Sequence, residues 1–242
     1  MSDALLTTAL LVLARIGGLV VAAPVFGHLL VPHRIRAAFA LALTAALVPV
    51  VAPIAAVPAT VWGLAGLVAI EFIVGATLGL VAQFVFAGVQ LGGQIAGTQM
   101  GFGIVNLIDP QTHSQVSVIA QWQQLLALLV FLVLDVHHLL IRALVGSFQA
   151  APPGAVALTA ASVRGVVGLS ADLFAVGVRI AVPVLIALLL TNGALGVLAR
   201  TVPQLNVFVV GFPLNVGVGL CVLGASLPFT FRLLESRFAN LE

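Results

Sequence analysis

The sequence predicts an all-α chain that belongs in a membrane or is packed into a membrane-bound complex. Three observations carry that prediction. Of 242 residues, 62% are hydrophobic and only 7% are charged, against roughly 25% charged in an ordinary soluble domain. Mean hydropathy is +1.28, so the chain lacks the polar groups needed to cover a soluble surface. The apolar runs are long and continuous, without the alternation of a half-exposed strand. Lipid requires backbone polar groups to be satisfied internally, which leaves helices or closed barrels; runs of this length and pattern select helices.

Taken in order, the expected helical segments cover about 4–30, 37–57, 61–90, 116–148, 166–200 and 205–231. One crossing needs roughly 20 residues, so the third, fourth and fifth are too long for a simple span. Pro183 lies inside the fifth, and Asp135, His137 and His138 interrupt the fourth. Long kinked helices and tight helical hairpins are the expected forms. Prolines punctuate the expected turns: Pro24, Pro32, Pro49, Pro53, Pro58, Pro110, Pro152, Pro153, Pro203, Pro213 and Pro228. Pro152-Pro153-Gly154 is the clearest break, separating a larger front part from a smaller back part. No repeat of fixed period is visible. The positive-inside test gives no bias. With six spans and the N-terminus outside, the inner loops hold Arg34, Arg36 and Arg200, and the outer segments hold Arg142, Arg164, Arg232 and Arg237. Some hydrophobic segments are therefore expected not to cross a bilayer in the ordinary way.

Charge and motifs exclude several functions. The formal net charge of +2 rests on nine arginines without a lysine, and no basic run marks a nucleic-acid surface. Cys221 is the single cysteine, which rules out an internal disulfide and a multi-cysteine metal site. Asp3 stands where a signal peptide would be basic, and Arg15 interrupts the apolar run, so a cleaved signal is not expected. Zinc-protease, nucleophile-elbow and P-loop patterns are missing. Adjacent His137 and His138 should diverge by about 100° on a helix, which favours a structural or interfacial role over a shared metal. No catalytic residue, cofactor or metal ligand is expected.

Other features call for protein packing. Arg15, Glu71, Asp172 and Arg179 lie inside apolar runs, where a charge at mid-membrane costs at least about 2.5–3.5 kcal/mol. Each should face protein or water, and Arg15 with Glu71 is a plausible pair. Inter-helix contact is favoured for these charges over an ion pathway. Gly75 and Gly79 form one small-residue pair, and Gly93, Gly97 and Gly101 continue at the same spacing beside Gln90, Gln94 and Gln99. Such a stripe lets helices approach closely. Met100-Gly101-Phe102-Gly103 then leads into Asn106, Asp109-Pro110 and a polar run to Gln115, the composition of a flexible loop. Asp109 before Pro110 would suit a helix cap.

Residues in order along nearly the whole chain resemble one family. They are Arg15; Pro24-x-Phe26-Gly27; Val31-Pro32 with Arg34 and Arg36; Glu71 with Gly75 and Gly79; Gly93-Gln94; Gln99-x-Gly101-Phe102; and Asp109-Pro110. Phe131-Leu132, His137-His138, Ser147-Phe148, Pro152 and Gly154 follow. The most specific run is Pro203-Gln204-Leu205-Asn206-Val207-Phe208, then Gly211-Phe212-Pro213-Leu214 and Gly219-Leu220. This pattern is similar to FliR, the flagellar biosynthesis family, and its type III secretion relatives. Asp135 departs from an expected Asn or Gly, and Asn215 from a common lysine.

The resemblance implies a multi-pass protein of the bacterial inner membrane at the flagellar basal body. It implies a structural subunit, not an enzyme, that joins FliP-like and FliQ-like subunits in the export gate, with FlhB-like and FlhA-like proteins nearby and unfolded flagellar subunits as cargo. It further implies a FliP-like part over 1–151 and a FliQ-like part over 155–242. A luminal plug would include Met100, Gly101, Phe102, Gly103, Ile104, Asn106, Leu107, Ile108, Asp109 and Pro110. Packing positions would be Gly75, Gly79, Gly93, Gly97, Pro203, Asn206, Phe208 and Pro213. The alternatives are the injectisome counterpart and a small-molecule or ion transporter in which Glu71 and Asp172 bind protons or cations. An intramembrane enzyme would need a nucleophile and base that the sequence does not offer.

Overall fold

The computed structural model describes residues 2–24, 31–51, 58, 60–103, 117–156, 160–202 and 206–239. Among the described residues there are eight α-helices and no strand. They are α1 (Ser2–Ala22), α2 (His33–Leu47), α3 (Val61–Met100), α4 (Val118–Val133), α5 (Val136–Ala150), α6 (Ala160–Thr201), α7 (Val207–Ala225) and α8 (Leu227–Ala239). Three helices are long and apolar enough to cross a membrane, or up to five spans if each bent pair counts as one. Six expected segments thus become fewer candidate spans.

The overlong runs are single long helices. Helix α3 has 40 residues and α6 has 42, roughly 60 Å each at 1.5 Å per residue, about twice a hydrocarbon core. The expected third segment stops near residue 90, ahead of a stretch rich in glycine and glutamine. The helix continues to Met100 because those glycines face neighbouring backbone, and packing overrides their weak intrinsic propensity. Its end is sharp. Gly101 takes φ 101°, its N–H donates to the Thr98 carbonyl at 3.1 Å, and the Phe102 N–H donates to the Gly97 carbonyl at 3.0 Å. This is the Schellman arrangement, which needs a left-handed residue after the helix and therefore favours glycine. Gly101 thus terminates α3; it does not extend the stripe of Gly93 and Gly97.

The interrupted fourth segment is a bent pair. Helices α4 and α5 meet at 64°, and α7 and α8 at 51°. The α4–α5 corner is Asp135, the one described non-glycine residue with positive φ, at 54°; Asp tolerates this region better than most residues. Pro183 lies inside α6, as expected. Two prolines do not mark turns as expected: Pro213 lies inside α7, and Pro228 is the second residue of α8. A proline in the first turn removes an N–H that has no helical partner there. Pro152 and Pro153 do lie in a turn: the Ala155 N–H donates to the Pro152 carbonyl at 3.0 Å and Gly154 has φ 80°. Proline second and glycine third is the type II pattern.

Two compact units are drawn mainly from residues 1–84 with 131–170, and from 85–130 with 171–239. In the first, Val12, Ile16, Leu19 and Val20 of α1 pack with Ala40 of α2 and Leu144 and Phe148 of α5. In the second, Ala96 and Met100 of α3 pack with Ile119 of α4, Val184 and Leu188 of α6, and Leu223 of α7. Phe86 and Phe238 also stack there at 6.1 Å.

Candidate functional site

The first unit is organised around a buried ion pair. Arg15 of α1 is 0% exposed and Glu71 of α3 is 1% exposed. Arg15 Nε donates to Glu71 Oε2 at 2.5 Å, Nη1 donates to Ser147 Oγ at 3.1 Å, and Nη2 donates to the Ala151 carbonyl at 3.0 Å. The guanidinium also lies 4.3 Å from the centre of the Phe148 ring. The other carboxylate oxygen, Oε1, accepts the Gly154 N–H at 2.9 Å. Both charges therefore have hydrogen-bonded partners, the condition under which burial is tolerated. One pair thus holds α1, α3, the end of α5 and the turn after it. The transporter reading asks Glu71 to bind a proton or cation, and both of its oxygens are already engaged.

Glycines permit that pair to form. A Cβ at Gly75 would fall on the Arg15 carbonyl, and one at Gly18 on the Phe72 carbonyl. One at Gly79 would meet the Ala23 nitrogen at 2.8 Å. Backbone lies against backbone along α1 and α3, the close approach that small residues at this spacing allow.

The second unit has a comparable seam of glycines. Cβ atoms at Gly88 and Gly92 would meet the carbonyls of Leu173 and Gly177 at 2.8 Å. One at Gly93 would reach the Ala120 Cα at 2.5 Å, and one at Gly97 would fall on Ser117 Oγ. The Gln94 carboxamide oxygen accepts the Ser117 N–H at 2.8 Å, and Ser117 Oγ accepts the Ile119 N–H at 3.2 Å. These contacts fix both flanks of the expected loop. Met100 is buried, and Phe102 packs against the core that Met100 helps to form. Ile104, Asn106, Leu107, Ile108, Asp109 and Pro110 lie outside the described residues, as does the Asp109 cap.

The remaining expected positions fall differently. Arg179 is exposed on α6, against the expectation of a buried charge. It stands one residue before buried Ile180 and Ala181, on the side of the helix turned away from them. The side chain of Asp172 and that of Phe208 lie outside the description, and Pro203 does so entirely. Asn206 caps α7: its Oδ1 accepts the Val209 N–H at 3.4 Å and its carbonyl accepts the Val210 N–H at 3.2 Å. Sequence reasoning missed an Asn192–Asn215 pair, in which Asn215 Nδ2 donates to Asn192 Oδ1 at 3.0 Å. Two amides in otherwise apolar helices were the available signal.

His137 and His138 do not diverge. Their ring centres are 4.1 Å apart. His138 Nδ1 is 3.2 Å and His137 Nε2 is 3.7 Å from Asp135 Oδ1. The 100° separation sets the Cβ directions of these neighbours in α5, but their rotamers turn both rings back toward Asp135 at the corner.

Residues 6–241 match the family described as bacterial export proteins, family 1. The chain is 34% identical to the flagellar biosynthetic protein FliR of Escherichia coli (strain K12), over 95% of this chain and 87% of that protein. It is 36% identical to the FliR of Bacillus subtilis (strain 168), over 95% and 90%. Against the FliR of Aquifex aeolicus (strain VF5) it is 29% identical, over 99% and 92%.

Proposed function

Because this chain belongs to the FliR family of bacterial export proteins, we propose that it is a structural subunit of a flagellar type III export gate in the inner membrane. It assembles with FliP-like and FliQ-like subunits, beside FlhB-like and FlhA-like proteins, and unfolded flagellar subunits pass through the resulting channel. The observation that carries this reading is the family match over residues 6–241, nearly the whole chain. The exposed apolar side chains support it: Leu189, Leu190 and Val197 on α6 and Val209 on α7 are each more than 60% exposed and suit partner subunits or lipid.

In the same reading, the segment from Met100 to Ser114 is a luminal plug that holds back ions until cargo displaces it. The support is local. The segment leaves a helix closed by Gly101 and re-enters the fold at Ser117, which Gln94 holds. Deleting Gly103 to Gln111 is expected to make cells leaky to small ions while FliP and FliQ homologues still co-purify with the protein. Unchanged permeability in an assembled complex overturns the plug, and failure of the full-length chain to co-purify with those homologues overturns the gate.

A further inference from the structure

We propose that Asp135, His137 and His138 form a binding site for one divalent transition-metal ion at the α4–α5 corner. The argument begins with the backbone. Asp135 sits at φ 54°, which ends α4 and starts α5 with its carboxylate beside the first turn. The two imidazoles that follow bring their ligand atoms to the same carboxylate oxygen, at 3.2 Å for His138 Nδ1 and 3.7 Å for His137 Nε2. One ligand atom from each of the three residues lies within 4.8 Å of the other two. A zinc-like ion bound at 2.0–2.2 Å to nitrogen and oxygen holds tetrahedral neighbours about 3.3–3.5 Å apart. The spacing therefore needs only small side-chain adjustment to enclose an ion.

The donor set indicates the kind of ion. Two imidazole nitrogens and one carboxylate suit zinc, nickel or copper, whereas calcium and magnesium prefer all-oxygen sites. The side chains of Asp135 and His138 are 70% and 59% exposed, so water can complete the coordination. His137 Nδ1, by contrast, is buried without a hydrogen-bond partner. Its ring is oriented by packing, with Phe131 at 6.4 Å, and not by an acceptor behind it. Acceptors of that kind are worth about 10–100-fold in affinity. The site should therefore bind its ion more weakly than one whose histidine is held by such an acceptor.

The test uses the full chain in detergent, with any partners that co-purify, stripped with a chelator and titrated with Zn²⁺. Expected is one ion per chain, with binding weakened at least about tenfold in His137→Ala and His138→Ala and unchanged in His33→Ala. Asp135→Asn keeps a residue suited to positive φ and removes the charge, so it separates ligand loss from misfolding; it too should weaken binding. A measurement on the unaltered protein covers variants that fail to fold: Zn²⁺ should protect His137 and His138, but not His33, from diethyl pyrocarbonate. Undiminished binding after loss of both histidines, or no protection by saturating Zn²⁺, overturns the proposal.

Discussion

The two units of this protein solve one problem by different means. Each must bring apolar helices into close contact. The first does so around a buried charge pair, Arg15 and Glu71, framed by Gly18, Gly75 and Gly79. Among its described side chains, the second uses glycines, Gly88 and Gly92 on one side and Gly93 and Gly97 on the other, with the amide of Gln94 holding a neighbouring backbone N–H. The charge pair demands one geometry, because moving either partner leaves a buried charge uncompensated. The glycine seam relies on fit, and fit degrades in smaller steps. The first unit should therefore fail abruptly when one partner is lost, and the second should weaken by degrees.

The largest expected effect is at the pair. Glu71→Ala leaves a buried guanidinium and the Gly154 N–H without their acceptor, and breaking a buried pair costs about 3–5 kcal/mol. Accumulation and thermal stability in detergent should fall sharply. The paired change Arg15→Met with Glu71→Leu should recover most of the loss, because two apolar groups leave no uncompensated charge. If the double variant is no better than the single, the contribution is not that of a charge pair.

A smaller effect is expected from Gly75→Ala, because the new methyl meets the Arg15 carbonyl, which cannot rotate away. Overpacking of this kind costs about 1–3 kcal/mol. Gly97→Ala should cost less, since the atom it meets most closely is a serine hydroxyl that can turn aside at the expense of its bond to the Ile119 N–H, a cap worth about 1 kcal/mol, leaving only a small shift of Ser117 Cβ at 2.9 Å. Comparing the two melting curves tests the ranking directly. Equal losses would mean that the seam is as rigid as the pair. Smallest of all should be Gln94→Met, which removes the hydrogen bond to the Ser117 N–H, worth about 1 kcal/mol. Its mark should be faster amide exchange at Ser117 with little change in global stability.

Much of this was legible before any coordinates. Composition and run length gave the helical membrane class, and the order of short motifs gave the family. Arg15 and Glu71 could be suspected of pairing because each charge in an apolar run needs a partner. Their further partners could not be read, since Ser147, Ala151 and Gly154 reach them only through the turn after α5. The length of α3 was underestimated because glycine lowers local propensity, and only the neighbouring backbone explains why the helix persists. The closeness of the two histidine rings was hidden for a related reason. Spacing sets only the Cβ directions of neighbouring residues in α5, not the rotamers that turn both rings back toward Asp135.

The Arg15–Glu71 contact also has an order in time. Its partners are separated by 56 residues in the chain, and Ser147 lies 132 residues beyond Arg15. At a synthesis rate of about 5–20 residues per second, α1 emerges roughly 3–11 s before Glu71. Throughout that interval it carries an arginine that lipid would charge about 2.5–3.5 kcal/mol to accept. The newborn helix therefore has reason to linger at the insertion machinery or the membrane surface, and its final seat becomes favourable only once α3 has been made.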